Sequence, residues 1–264
     1  YRPWHPLTEG MGWLRKLIAG NERRARSQQA LENLRASGSP YMLFPLQLDA
    51  DAQVRLHSSF SGMAEAIRTV IASFAAYAPN GMVLAIKEHP LDNNVRNWRH
   101  EVAMQAAAYG VADRVDYFET GDITDLVKTA TGVITINSTT CTLALAEGKP
   151  VITLGSAVYD IPGITFQGSL SAFWSAPGQP DKETFNAYRR ALIDRCLIPG
   201  GFFSDEGMHQ LVSSAIDRLT RHSPRDFAAA SQAEMARREA LRQKLATDPH
   251  TLTDVSAAPG RVQV

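Results

Sequence analysis

The stretch from Gly132 to Gly155, "GVITINSTTCTLALAEGKPVITLG", decides the fold. It opens on an apolar run, 132–137, too short for a buried helix and rich in β-branched residues, which predicts a strand. Three hydroxyl residues follow and lead into "STTCTLALAEG" (138–148), a helix stopped by Gly148. "PVITLG" (150–155) is again a short apolar run. A strand, a helix and a second strand with no polar alternation make a βαβ unit, whose strands are parallel and covered on both faces.

The same rhythm extends upstream. "YMLFPL" (41–46), "MVLAIK" (82–87) and "RVDYFE" (114–119) are predicted strands. "GMAEAIRTVIASFAAYA" (62–78), "WRHEVAMQAAAYG" (98–110) and "DITDLVKTA" (122–130) are predicted helices, the last with Asp122 as its N-cap. The fold class is therefore α/β, a doubly wound, Rossmann-like parallel sheet with C-terminal helices. Before it, "YRPWHPLTEGMGWLRKL" is rich in aromatic residues, proline and glycine and reads as irregular chain. A charged helical stretch then ends at Gly38. After Gly155 the pattern loosens, and helices resume at about 182–194, 207–221 and 225–246. The expected organisation is an N-terminal segment over 1–40, linked to or left from a preceding domain, then the parallel-sheet domain over 41–223. A C-terminal helix and mobile tail over 224–264 complete it.

Composition narrows the function. The 264 residues carry 27 Lys plus Arg and 27 Asp plus Glu, so there is no net charge. A neutral chain has no long-range attraction for phosphate backbones, which argues against nucleic acid as a partner. An anionic ligand must be met by a local cluster instead. Cys141 and Cys196 form no disulfide framework and have no metal-ligand spacing, which suits a reducing cytoplasm. No window reaches the ~20 apolar residues of a membrane span, and the start has no signal-peptide pattern. Because the chain opens on Tyr1, it reads as a processed or truncated piece.

In open parallel sheets, ligands bind outside the carboxyl ends of the strands. Here those ends are "QLDAD" (47–51), "KEHP" (87–90), "ETGD" (119–122), "NSTT" (137–140) and "GSAVYD" (155–160), and most are unusually polar. Asn137 closes a buried strand. Ser138, Thr139 and Thr140 fall at the first turn of a helix, where unpaired N–H groups form an anion cradle to which the hydroxyls add donors. Ser138 serving only as an N-cap is the plainer alternative. His89, with its backbone restricted by Pro90, stands where a leaving phosphate would lie, and Lys87 is on the same strand face. Asp49 and Asp51 offer two carboxylates. A metal-bridged pair is the weaker alternative for so short a motif, and one carboxylate acting as base or nucleophile needs no metal. A turn aspartate bonding its own backbone is also open, and fits Asp49 better than Asp51. The chain has no Gly-rich dinucleotide fingerprint, Walker loop, CxxC or nucleophile elbow.

Taken in order, "PLQLDADAQVRLHSSFSGM", "KEHPLD", "VITINSTTCTLALAEGKPVITLGSAVYDIPGITFQGSLSAFW" and "IPGGFFS" resemble the capsular polysaccharide biosynthesis and export family of Gram-negative bacteria. That family includes transferases of 3-deoxy-manno-octulosonic acid (Kdo). The resemblance covers roughly Tyr41 to Ser204. It implies the carboxyl-terminal half of a GT-B glycosyltransferase, a CMP-Kdo donor, a lipid or glycan acceptor, and no cofactor or metal. It also implies a cytoplasmic protein peripheral to the inner membrane, beside other capsule-assembly proteins. The family's His-Pro motif falls on His89 and Pro90, and its hydroxyl motif on Ser138, Thr139 and Thr140. Its Gln-x-x-x-Asp pattern falls on Gln47 and Asp51, which favours Asp51 as the reactive carboxylate. By the same resemblance Asp51 and His89 are catalytic, while Gln47, Lys87, Pro90, Asn137 and the three hydroxyl residues bind nucleotide. Two departures stand out: Cys141, followed by Thr142 where many relatives carry glycine near the helix start, and the short segment before Tyr41. A non-catalytic sugar-nucleotide-binding or export accessory protein is the alternative function, and a sugar-nucleotide epimerase or hydrolase a third.

Overall fold

The computed structural model describes residues 4–221 together with Gln232. The chain divides into two compact units, Tyr1–Phe185 and Asn186–Val264. In the first, helices α1 (Pro6–Ile18) and α2 (Gly20–Ser37) precede strand β1 (Tyr41–Pro45). Next come α3 (Ala52–Leu56), α4 (Met63–Tyr77), β2 (Val83–Lys87), α5 (Trp98–Ala108) and β3 (Val115–Phe118). They are followed by α6 (Ile123–Thr129), β4 (Gly132–Thr135), α7 (Thr140–Ala146), β5 (Val151–Thr153) and the one-turn α8 (Leu170–Phe173). Helix α9 (Lys182–Cys196) begins in the first unit, and α10 (Asp205–Arg221) lies in the second. Within that second unit, Arg218 on α10 donates to the carbonyls of Asp194 and Leu197. The charged helix expected near 225–246 and the tail after it fall outside the described residues, apart from Gln232.

The sheet is parallel throughout, in the order β3-β2-β1-β4-β5. The chain winds outward through β1, β2 and β3, then crosses back to place β4 on the other side of β1. The reversal opens a crevice at the carboxyl ends of β1 and β4, which is where such sheets bind ligands. All five residues of β1 are buried, as the unbroken apolar run requires. The core lies under α4 and α5, where Phe44, Met63, Ile67, Ile71 and Phe74 are fully enclosed. Trp174, just after α8, packs edge-on against Phe74 and donates its indole N–H to Ser73 Oγ at 2.8 Å. Among the described residues no helix is long and apolar enough to cross a membrane.

One expectation is overturned. Residues 6–18 are not irregular but form α1, and the same residues that suggested irregular chain explain the helix. Pro6 occupies the first helical position, where its missing N–H costs nothing. His5 caps the end, its Nδ1 accepting from Leu7 N–H at 3.3 Å. Gly12 is present for packing, because a Cβ there would stand 2.2 Å from the carbonyl oxygen of Asn93. Thus α1 lies tightly against the chain that follows β2, an arrangement that bears directly on the site.

Candidate active site at the carboxyl edge of the sheet

At the switch point, Gln47 and Asn137 clasp the ends of β1 and β4 together. Gln47 Nε2 donates to Asn137 Oδ1 at 2.9 Å, and Asn137 N–H donates back to Gln47 Oε1 at 3.1 Å. Asn137 Nδ2 donates to the Gln53 carbonyl at 2.8 Å, with the His57 and Ser156 carbonyls each 3.4 Å away. Both side chains are buried. Their polar atoms are therefore used within the protein, joining β1, the α3 segment and the chain after β5 into one frame. Gly155 permits that junction, since a Cβ there would meet His57 O at 2.8 Å.

The hydroxyl turn rests on this frame. Ser138 Oγ accepts from Thr140 N–H at 3.2 Å and donates to Thr140 Oγ1 at 3.1 Å. The N-cap of α7 is Thr139, whose side chain makes no cap bond, and Ser138 one residue earlier closes a local hydroxyl turn onto Thr140 in place of the capping role open to it. Thr139 is exposed, and its hydroxyl has no protein partner among the described residues. From the far side, buried Tyr159 donates its hydroxyl to the Ser138 carbonyl at 2.6 Å and fixes the turn's height. Cys141 beneath it is wholly buried, which pushes its thiol up to about 12 and leaves it inert at neutral pH.

The two aspartates after β1 exchange the roles expected for them. Asp51 bonds its own backbone, its Oδ1 accepting from Gln53 N–H at 2.9 Å as the N-cap of α3. Asp49 instead reaches across to α4, where its Oδ1 accepts from Met63 N–H at 2.9 Å. The preceding Gly62 makes room, because a Cβ there would lie 2.7 Å from that oxygen. The sequence cue failed because an aspartate's local bond and its reach to a distant helix start look alike in one dimension. Asp51 Oδ2 has no protein hydrogen bond among the described residues, so one oxygen of this carboxylate is unspent. The pair caps two different helices, and no group of three His, Cys, Asp or Glu side chains among the described residues could hold a metal ion.

On the other flank of β1, the end of β2 presents His89, half-buried, followed by an exposed Pro90. His89 Nδ1 accepts from Leu91 N–H at 3.1 Å, so the neutral ring carries its proton on Nε2. Burial lowers its pKa below the ordinary histidine range and outweighs the pull of Asp92 and Asp51; the charges of Lys87 and Lys16 act in the same direction as burial. Lys87 is buried, with its ammonium donating to the Glu88 carbonyl at 2.9 Å, and burial lowers its pKa too.

Behind this turn lies a buried charge network that sequence reading missed. Lys16 Nζ donates to the carbonyls of Pro90 and Asp92, both at 2.7 Å. Arg23 pairs with Glu88 and reaches Asn94 Oδ1 at 3.3 Å, while Tyr117 donates to Glu88 Oε2 at 2.8 Å. Glu119 takes Arg26 and Arg99. For Glu119, burial would raise the pKa, but those hydrogen bonds and the arginine charges hold it below the usual carboxylate value. The signal available in sequence was the run "RKLIAGNERRAR" (15–26), whose charges look like a solvated helix face. Only the packing of α2 against β3 shows that Arg23 and Ser27 point inward.

A family model described as capsule polysaccharide biosynthesis protein matches residues 1–203. The chain belongs to this family. Among its relatives, the capsule polysaccharide export protein KpsS of Escherichia coli is 34% identical over 204 residues, covering 77% of this chain and 52% of KpsS. The capsule polysaccharide modification protein LipB of Neisseria meningitidis is 37% identical over 165 residues, covering 62% of this chain and 39% of LipB. The chain thus spans about half the length of KpsS and less of LipB. Among solved structures, KpsC of Thermosulfurimonas dismutans, a beta Kdo 2,7 transferase, aligns over 57% of this chain and 48% of its own, at 21% identity and a TM-score of 0.38.

Proposed function

We propose that this chain is the nucleotide-sugar-binding half of a GT-B glycosyltransferase of capsule assembly that transfers Kdo from CMP-Kdo to a lipid or glycan acceptor. What supports this reading is the sheet order, which sets the turn after β1 with Asp51 beside the end of β2 with His89, and the hydroxyl turn after β4 on the other side of β1. Membership of the capsule family supplies the biological setting. Thr139, with its free hydroxyl at the turn, meets the phosphate of the nucleotide. His89 presents its Nε2–H to the same phosphate. Transfer breaks the bond between the anomeric carbon and the phosphate oxygen, whose electron pair leaves with CMP. The acceptor hydroxyl forms the new bond, and its proton passes to Asp51 Oδ2. His89 stabilises the second negative charge that develops on the leaving phosphate, where a donor helps more than in the ground state.

No step in this scheme requires a metal, so EDTA leaves transfer unchanged. Asp51→Ala tests the assignment: turnover is lost while calorimetry shows CMP affinity intact. Wild-type protein that binds CMP but never consumes CMP-Kdo, with acceptor present, would instead make it an accessory binding protein. The similarity to KpsS, a capsule polysaccharide export protein, favours that second reading. Sugar release without any acceptor would point to a hydrolase or epimerase. On this scheme the protein works in the cytoplasm at the inner-membrane face, where a lipid acceptor is available.

A further inference from the structure

Helix α1 is amphipathic in the reverse sense. Gly12 and Lys16 face the chain after β2, the first seated on Asn93 and the second bonded to the Pro90 and Asp92 carbonyls. At about 100° per residue, the opposite side of the helix carries Leu7, Met11, Leu14, Leu17 and Ile18, each between 55% and 78% exposed. Trp13 and Arg15 stand on the two edges of that face. Single exposed leucines are ordinary, but a whole apolar helix face normally turns to a core. None of the described residues covers this one.

Two features say what does. The first is spacing: Leu7, Met11, Leu14 and Ile18 follow one another at intervals of four, three and four residues, the alternation that forms the seam between two helices packed side by side. The second is Gly10, midway along the same face. Its backbone is helical, and a Cβ there would meet nothing within 4 Å, so neither a turn nor packing within the chain asks for glycine. Glycine inside a helix lowers its stability relative to alanine, and here it serves a close approach from outside. The seam is self-complementary when a second copy lies antiparallel across a two-fold axis level with Gly12 and Trp13. Leu7 then meets the second copy's Ile18, Met11 meets its Leu14, and Leu17 falls beside its Gly10, where no side chain stands in the way. Arg15 falls beside Thr8, so the copies bring no like charges together. A bilayer surface is the poorer match. Interfacial helices flank their apolar face with several Lys or Arg side chains, whereas this face has Arg15 alone at its edge, Lys16 being spent on the two carbonyls.

We propose that α1 joins two copies of this chain through its outer face, as an antiparallel, two-fold helix pair. The seam is small against the ~20–30 residues a side of a standard interface, so the pair is reversible and forms as concentration rises. It uses the side of α1 away from Lys16 and leaves the grip on the His89 turn undisturbed. Sedimentation equilibrium on the wild-type chain over a wide concentration range shows the mass rising from one chain to two and stopping there, because a two-fold contact closes. Leu14→Glu places a carboxylate in the seam and holds the protein at one chain throughout. Its circular dichroism spectrum and melting temperature match those of dilute wild type, since the side chain is exposed. Gly10→Leu is the sharper test. It adds apolar surface and helix propensity, so a face meant for lipid or for loose hydrophobic contact binds more strongly. A seam that needs the gap is instead weakened ~10–100-fold, the cost of an over-packed contact. A single chain at every concentration, growth beyond two copies, pairing that survives Leu14→Glu, or pairing unchanged or strengthened by Gly10→Leu overturns the proposal. So does a wild-type chain that stays monomeric yet floats with phosphatidylglycerol vesicles, which would give the face to a bilayer.

Discussion

Lys16 Nζ donates to the carbonyl of Pro90 at 2.7 Å, so a helix more than seventy residues upstream holds the turn that carries His89. The second bond to Asp92 O and the close seat of Gly12 on Asn93 make this a rigid strut. Burial lowers the pKa of Lys16, opposed by Glu88 and Asp92, which leaves an ammonium with few alternatives to the two carbonyls.

Lys16 is thus a positioning residue, and Lys16→Met tests it. Displacing a catalytic group by about 1 Å can cost ~10²-fold, so kcat falls by ~10–10²-fold while CMP affinity stays within a factor of about two. A purely structural role would move the melting temperature and leave kcat per folded molecule unchanged. The NMR titration of His89 supplies a second readout, because a loosened turn admits water and its pKa rises towards the ordinary ~6.5. Lys16→Arg, which keeps the charge and donors, restores part of kcat.

The hydroxyl turn separates stability from binding residue by residue. Ser138→Ala removes the acceptor for Thr140 N–H and costs about 1 kcal/mol of unfolding free energy, the usual net value of one hydrogen bond. Thr139→Ala leaves stability unchanged and weakens CMP, because only its hydroxyl is exposed and unspent. Denaturant melts and calorimetry on the two variants check this. Equal CMP affinity for wild type and Thr139→Ala would remove the turn from the binding site.

Much of the fold was legible because burial writes itself into composition. The strands β1, β2 and β4 are continuous apolar runs, and their predicted and observed ends agree within about two residues. The candidate site was legible at its edges for a related reason: a buried strand that turns polar must be meeting something other than core. What the sequence hid is which polar groups face each other. Gln47 and Asn137 are ninety residues apart and read as two ligand contacts, whereas in space they bond mainly to each other. The Arg23–Glu88 pair stayed hidden because a charged residue buried with a partner carries no local mark of it. Tyr159 stood in a quoted strand end, but nothing near it in sequence announces the Ser138 carbonyl it serves.

The Gln47–Asn137 clasp makes a direct stability prediction. Gln47→Ala deletes both bonds and leaves Asn137 Oδ1 and N–H buried without partners. Each such orphan costs ~1–3 kcal/mol, so unfolding free energy drops by about 2–4 kcal/mol. Urea melts measure it. A loss below about 0.5 kcal/mol, the level of an ordinary surface change, would mean that the strand ends hold without the clasp.

His89 joins the structural and chemical arguments through its proton. In the folded protein its pKa lies below the ordinary value, so on acidification the unfolded chain takes up a proton first, near ~6.5. The stability that neutral His89 contributes is therefore complete above about pH 6.5 and is lost as pH falls from there through the lower folded value. The difference in melting temperature between wild type and His89→Asn, followed from pH 8 downward, isolates this contribution; it is flat above ~6.5 and narrows below. Protonation also places a hydrogen on Nδ1, where Leu91 N–H already points, and so opens the turn. Activity should share the acid limb. His89→Ala goes further, removing the donor that meets the leaving phosphate, and lowers kcat by ~10²–10³-fold, the usual cost of such a donor, with the circular dichroism spectrum unchanged. Pro90→Ala costs far less, because Lys16 grips the carbonyl at position 90 whatever the side chain. A kcat for His89→Ala within a factor of about two of wild type, against that ~10²–10³ expectation, would leave His89 as a strand terminator and nothing more.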